Sequence, residues 1–281
     1  MNDLCVPGQV YRKSGELVFF NQLAVKIEMD SVSNPDYYAW LDEMTSKIGT
    51  LVPGAKIAEK DHARVSPPLN IAVYYDTHDY KILPTGALLR TSCNKITHAF
   101  CAFKMTQDEH SVRNDHRYVF AGEEKTTIQS DPTTDASVTI VRRLLSRKDI
   151  EHPGTCLERC IGVHPQTLFP AICLEDYRYT FFVWLNGKDA LRCSIDRFHV
   201  YDLRIPVSVR QKKPISEVEL AIYPRIDEVT AKSPLVVEMI NVLADSLCKT
   251  FGVSITTEIK YQRSARALGL WQSENSRSLP T

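Results

Sequence analysis

Apolar and polar residues alternate with a period of two through much of this chain. Gln22 to Asp30 (QLAVKIEMD) sets Val25, Ile27 and Met29 against Lys26, Glu28 and Asp30. That pattern marks a strand with one apolar and one polar face. Asn70 to Asp76 (NIAVYYD), Ala87 to Ser92, His98 to Met105 and Arg117 to Ala121 read as further strands from their β-branched and aromatic content. Tyr177 to Leu185 and Leu191 to Tyr201 flank Asn186-Gly187, a strong hairpin signal, and Ser216 to Ile222 adds another strand. Apolar residues at helical spacing predict three helices. Tyr37 to Ile48 follows Asn34 or Asp36 as cap, and Ser137 to Ser146 is the second. Ser233 to Phe251 has Ser-Pro at its start and Gly252 just past its end. Strands mostly succeed one another without a helix between them. The expected class is therefore α+β, an antiparallel sheet or barrel with flanking helices, not a doubly wound parallel sheet.

The chain has 281 residues, 43% hydrophobic and 24% charged, enough apolar material for a real core. Lys plus Arg and Asp plus Glu both number 34, so the net charge is zero. Without a basic excess the chain is no general nucleic-acid or anionic-membrane binder, and any polyanion must be held by local charge. No apolar run approaches the roughly 18 residues of a membrane span, and the first twenty residues lack a secretory pattern. Eight cysteines are too few for a disulfide scaffold, so reduced thiols in the cytoplasm are the expectation. Residues 1–265 read as one domain, and 266–281, small and polar, as a flexible tail.

The chemistry-bearing feature is charge inside strands. Lys26, Glu28 and Asp30 share one face, and Glu217 and Glu219 share another. Arg90, Lys104, Arg117, Arg178, Arg192 and Asp196 lie in or beside other apolar strands. Such faces often simply point at water. In a closed barrel they would instead line the interior, where basic side chains grip phosphate oxygens and paired carboxylates hold Mg²⁺ or Mn²⁺.

The segment YYDTHDYKILPTGALLR (residues 74–90) resembles the corresponding segment of the CYTH, or triphosphate tunnel metalloenzyme, superfamily. The order around it is similar too. It runs VKIEMD, AFKM with Lys104, HRYVF with Arg117, DYRYTF with Arg178, CSID with Asp196, EVELAI, then a helix and EIKYQR with Lys260. The resemblance spans about residues 20 to 263 and extends to the polyphosphate polymerase domain of the vacuolar transporter chaperone. It implies an eight-stranded antiparallel barrel, the triphosphate tunnel, with flanking helices. It also implies divalent-metal-dependent hydrolysis of an inorganic or nucleoside triphosphate. Nucleotide cyclisation, polyphosphate synthesis and inactive nucleotide or polyphosphate binding are the alternatives. The implied partner is a small-molecule triphosphate or nucleotide, with RNA only as a 5′-triphosphate end and no membrane.

Carried over by position, Glu28, Glu217 and Glu219 are the catalytic acids. Glu28, Asp30, Asp196, Glu217 and Glu219 are the metal ligands. Lys26, Arg90, Lys104, Arg117, Arg178, Arg192 and Lys260 bind phosphate. The chain departs from the family's first-strand Glu-x-Glu-x-Lys, reading Lys26-x-Glu28-x-Asp30, or Glu28-x-Asp30-x-Val32 if slipped by two. It has Arg90-x-Ser92 where Arg-x-Arg is common, and no acid directly follows Arg117.

Other signals are weaker. His152, Cys156, Cys160 and His164 recur every four residues as a zinc set would, but Pro153, Gly154 and Gly162 break a continuous helix, so buried thiols are expected. Asp76-Thr77 reads as a turn-shaping pair. There is no Gly-x-Ser-x-Gly elbow and no Gly-rich phosphate loop. Trp40, Trp184 and Trp271 are isolated and read as packing residues.

Overall fold

A computed structural model describes residues 17–59, 64, 67–106 and 112–272. The chain runs β1 (Leu17–Glu28), α1 (Asn34–Leu51), β2 (Ala55–Glu59), β3 (Leu69–Asp76), β4 (Leu88–Asn94), β5 (Ala99–Thr106) and β6 (Val112–Val119). Three helices follow, α2 (Gly122–Ser130), α3 (Asp135–Leu145) and α4 (Pro153–Ile161). Then come β7 (Phe169–Leu185), β8 (Lys188–Asp202), β9 (Lys213–Ile222), α5 (Glu228–Ala231), α6 (Pro234–Phe251) and α7 (Lys260–Ala267). No helix among the described residues is long and apolar enough to cross a membrane.

All nine described strands belong to one antiparallel sheet. β7 pairs with β8 as well as with β3, so the pairings run β7–β3–β4–β5–β6–β1–β9–β8 and return to β7. Eight strands thus follow a cyclic order of pairings, but the sheet is not the closed eight-stranded barrel expected. β2, which the sequence did not announce, is a ninth strand along the far half of β7. The ring is split at β1, whose residues 17–23 pair with β6 and 24–28 with β9, while the other edge at Ile27 is bridged by Ile255.

Period-two alternation sorts the side chains. Ile27, Val218, Ile195 and Tyr179 lie opposite one another in the ladders and face outward, into a core closed by α1 and α6. Val73, Leu89, Cys101, Phe103 and Tyr118 face outward under α3 and α4. The intervening positions, including the in-strand charges, face into the ring. At one end the interior is apolar. Tyr74, Leu174, Phe198 and Val200 pack there with Tyr261 and Ala265 of α7, and Tyr74 stacks on Tyr261 with centroids 4.8 Å apart.

Local signals acted as chemistry dictates, with corrections. Asn186 and Gly187 both take positive φ (52° and 81°), as a two-residue hairpin turn of this kind requires. Ser33, not Asn34 or Asp36, caps α1, its hydroxyl accepting from the Asp36 amide at 3.3 Å. Pro153 and Gly154 do not break α4 but open it, with His152 as cap and Gly162 in the left-handed C-terminal position. The thiols are buried at Cys156 but exposed at Cys160. Asp76 shapes its turn by accepting from the amides of Thr77, Ile82 and Leu83 at 2.7–3.0 Å. Leu268, Leu270 and Trp271 pack against the apolar end of the ring, and 273–281 lie outside the described residues.

Candidate functional site

The ladders place the charges in register. Glu28 lies opposite Glu217, Glu217 opposite Asp196, and Asp196 opposite Arg178. The next inward-facing layer holds Lys26, Glu219, Ser194 and Thr180, and the next Ala24, Ala221, Arg192 and Phe182. Strands distant in sequence thus bring Lys26, Glu28, Arg178, Asp196, Glu217 and Glu219 to one wall, as a sheet with side-chain period two must.

Helix α7 adds to this wall from the end. Lys260 pairs with Asp196, with Asp176 at 3.3 Å and with Glu217 at 3.6 Å. Arg263 reaches Glu217 at 3.1 Å, Asp30 at 3.2 Å and Glu28 at 3.4 Å. Lys26 pairs with Glu217 and lies 3.8 Å from Glu219. The Arg178 fork donates to both oxygens of Asp196 at 2.8 Å and reaches Asp176 at 3.3 Å. This network is dry: Lys26, Asp196, Glu217 and Arg263 are each no more than 3% exposed.

The electrostatics follow. Burial would push the Glu217 carboxyl up, but Lys26, Lys260 and Arg263 outweigh it and hold Glu217 below the usual carboxylate range. Asp196 is likewise lowered, against burial, by Arg178 and Lys260. Asp176 goes the other way, raised by burial and then by neighbouring Asp196. Burial would lower Lys260, yet Asp176 and Asp196 hold it above the ordinary ammonium value.

A second stretch of the interior is cationic. Arg90 faces inward opposite Ala102, with its Nε buried and without a hydrogen-bond partner. Half-buried Arg192 has no carboxylate at ion-pair distance among the described residues. Burial and then the nearby Arg178 push it below its ordinary range. The Arg117 guanidinium sits over the Phe100 ring at 4.1 Å. Inward-facing Lys104 lies opposite Leu88 in the same ladder. His98 reports the local field: burial, then Arg117, Arg90 and Arg178, push its imidazole down to about 4.

Among the described residues Asp196, Glu217 and Glu219 offer ligand atoms within 4.8 Å of one another, a group that on distance could hold a metal ion. Glu28 and Asp30 lie outside that group. β1 ends at Glu28, so Asp30 leaves the ladder and accepts from the Ser216 amide at 2.6 Å, while Glu28 pairs with Arg266 at 2.7 Å. Two of the three acids do not fit a metal as they stand, because side-chain cations already occupy Asp196 and Glu217, with Lys26 3.8 Å from Glu219. Sequence reasoning missed Asp176 and Arg263. Asp176 lies two residues before Arg178 on the same strand face. Arg263 lies three after Lys260, a helical spacing that reading 260–263 as a helix would have exposed.

No protein-family model and no curated protein matches the chain. Among solved structures it is similar to a candidate adenylate cyclase from Bacillus halodurans (TM-score 0.48, 13% identity, 86% of this chain and 96% of that one). It is similar to HpAC1 from Hippeastrum, an adenylyl cyclase candidate described as having a dominant triphosphatase activity (TM-score 0.45, 13% identity, 87% and 96%). It is also similar to the Mimivirus capping enzyme triphosphatase (TM-score 0.32, 9% identity, 79% and 87%).

Proposed function

We propose that the interior of the strand ring receives the linear triphosphate of an inorganic or nucleoside triphosphate. The carrying observation is the pair Arg90 and Arg192, inward-facing guanidiniums with no carboxylate at ion-pair distance among the described residues. A desolvated cation beside other cations is costly unless an anion compensates it. Phosphate oxygens match the planar guanidinium fork. Arg117 and Lys104 would complete the grip, while the Arg178 fork stays on Asp196. Calorimetric titration with tripolyphosphate tests this: wild type should bind saturably, and an Arg90→Met, Arg192→Met double variant should bind at least about tenfold more weakly, ~1.4 kcal/mol. Equal affinity in a folded double variant would retire the proposal.

A second reading, hydrolysis of that triphosphate with Mg²⁺ or Mn²⁺, is favoured by the closeness of Asp196, Glu217 and Glu219. It requires Lys26 and Lys260 to leave the carboxylates. Orthophosphate release from tripolyphosphate and nucleoside triphosphates with either ion tests it, and cyclic nucleotide or long phosphate chains as product would turn it into the cyclase or polymerase reading.

A further inference from the structure

The acid cluster has the donor chemistry of a divalent-ion site, but its buried members are already paired with the chain's own cations. Four carboxylates, Asp176, Asp196, Glu217 and Glu219, meet four cations, Lys26, Lys260, Arg178 and Arg263, through contacts of at most 3.8 Å. A Mg²⁺ or Mn²⁺ site draws its affinity from uncompensated carboxylate oxygens. Adding a divalent ion to this set would require expelling a buried ammonium.

The cations are built in. Lys26 projects from the ladder position opposite Glu219 and is 3% exposed. Lys260 opens α7, which is pinned by the Tyr261 hydroxyl donating to Asp76 at 2.8 Å and by the Tyr74–Tyr261 stack. Neither side chain reaches the cluster from a loop that could swing away.

We propose that the Lys26 ammonium, with Lys260 and Arg263, takes the place of a divalent cation on Glu217 and its neighbours, so that the tunnel binds triphosphate without metal. The inference rests on the triphosphate-receptor reading. Its consequence is specific: charge neutralisation that a metal would supply on the acidic wall comes from the chain itself, and Arg90 and Arg192 leave the interior ready for an anion.

Two measurements on the full chain test it. First, Mn²⁺ alone is titrated by electron paramagnetic resonance, with Lys26→Glu and Lys26→Met beside wild type. Wild type should show no saturable Mn²⁺ uptake. Lys26→Glu should gain a site, and Lys26→Met, which only deletes the ammonium, should gain a weaker one. Stoichiometric Mn²⁺ uptake by wild type that is lost in Glu219→Gln would overturn the inference. So would a folded Lys26→Glu protein that gains none. Second, tripolyphosphate is titrated into wild type in chelator-treated buffer. Binding there supports the inference. Binding only after Mn²⁺ is added overturns it but leaves the receptor reading standing. No binding under either condition removes both.

Discussion

Under α7, Asp196 and Glu217 each meet two or three cations within 3.6 Å, whereas on the same face of the sheet Arg90 and Arg192 meet no carboxylate at that range among the described residues. The acids of the first stretch are fully buried and two of their cations come from α7, whereas Arg90 and Arg192 are half-buried on strands. A buried charge is tolerable when its partner is buried with it, and removing either partner leaves the other stranded. The first stretch is paired within the molecule, though Asp176 Oδ1 and Arg263 Nε lack hydrogen-bond partners among the described residues, and it joins α7 to β1, β8 and β9. In the second, the proposed reading assigns compensation of Arg90 and Arg192 to an arriving triphosphate.

The sharpest way to break the comparison is to strand charges in the first stretch. Glu217→Ala leaves Lys26, Lys260 and Arg263 without a shared acceptor and should cost about 3–5 kcal/mol of folding stability in urea. A loss under about 1 kcal/mol would mean the network does not stabilise the fold. In the other stretch, Arg192→Met should leave stability unchanged or higher. It should weaken tripolyphosphate binding by roughly ten- to a hundredfold, the loss of a charged hydrogen bond worth ~1.5–3 kcal/mol.

Acid should separate the stretches too. Glu217 is depressed in the folded state, so its contribution is fully present above the ordinary value of 4.5 and is lost as pH falls through the lower folded value. Urea midpoints should therefore fall in that window, and less steeply in Glu217→Gln. His98 is depressed from 6.5 to about 4, so its share of stability is present above 6.5 and lost as pH falls through about 4. Because Arg117 and Arg90 contribute to that depression, bound tripolyphosphate should raise the His98 titration point, read by NMR. No shift on saturation would place the anion elsewhere. The smallest effect is expected at Arg266→Ala. Arg266 is 42% exposed and its pairs with Glu28 and Glu258 lie at the rim, so about 0–1 kcal/mol of stability should be lost.

Much of this was readable from the chain. Alternation in VKIEMD and EVELAI placed Lys26, Glu28, Glu217 and Glu219 on strand faces, and Asn186-Gly187 fixed the β7–β8 hairpin, because both signals are local. What stayed hidden depends on tertiary pairing. The short β2 forms only because the far half of β7 offers a free edge, and nothing in AKIAE announces that. Residues 260–267 pack five side chains into the ring although their own composition is polar, so the α7 plug escaped a search for apolar periodicity. The pairing of acids with the chain's own cations was invisible for the same reason. Alternation tells which face a side chain takes, not what stands across the cavity.

The central claim is that the cationic interior is where a triphosphate is held. A crystal of the wild-type protein soaked with tripolyphosphate tests it most directly. The account predicts phosphate density inside the strand ring, with oxygens at hydrogen-bond distance from the Arg90 and Arg192 guanidiniums. Density confined to the outer surface, with an empty interior in crystals whose ligand is present in excess, would contradict it.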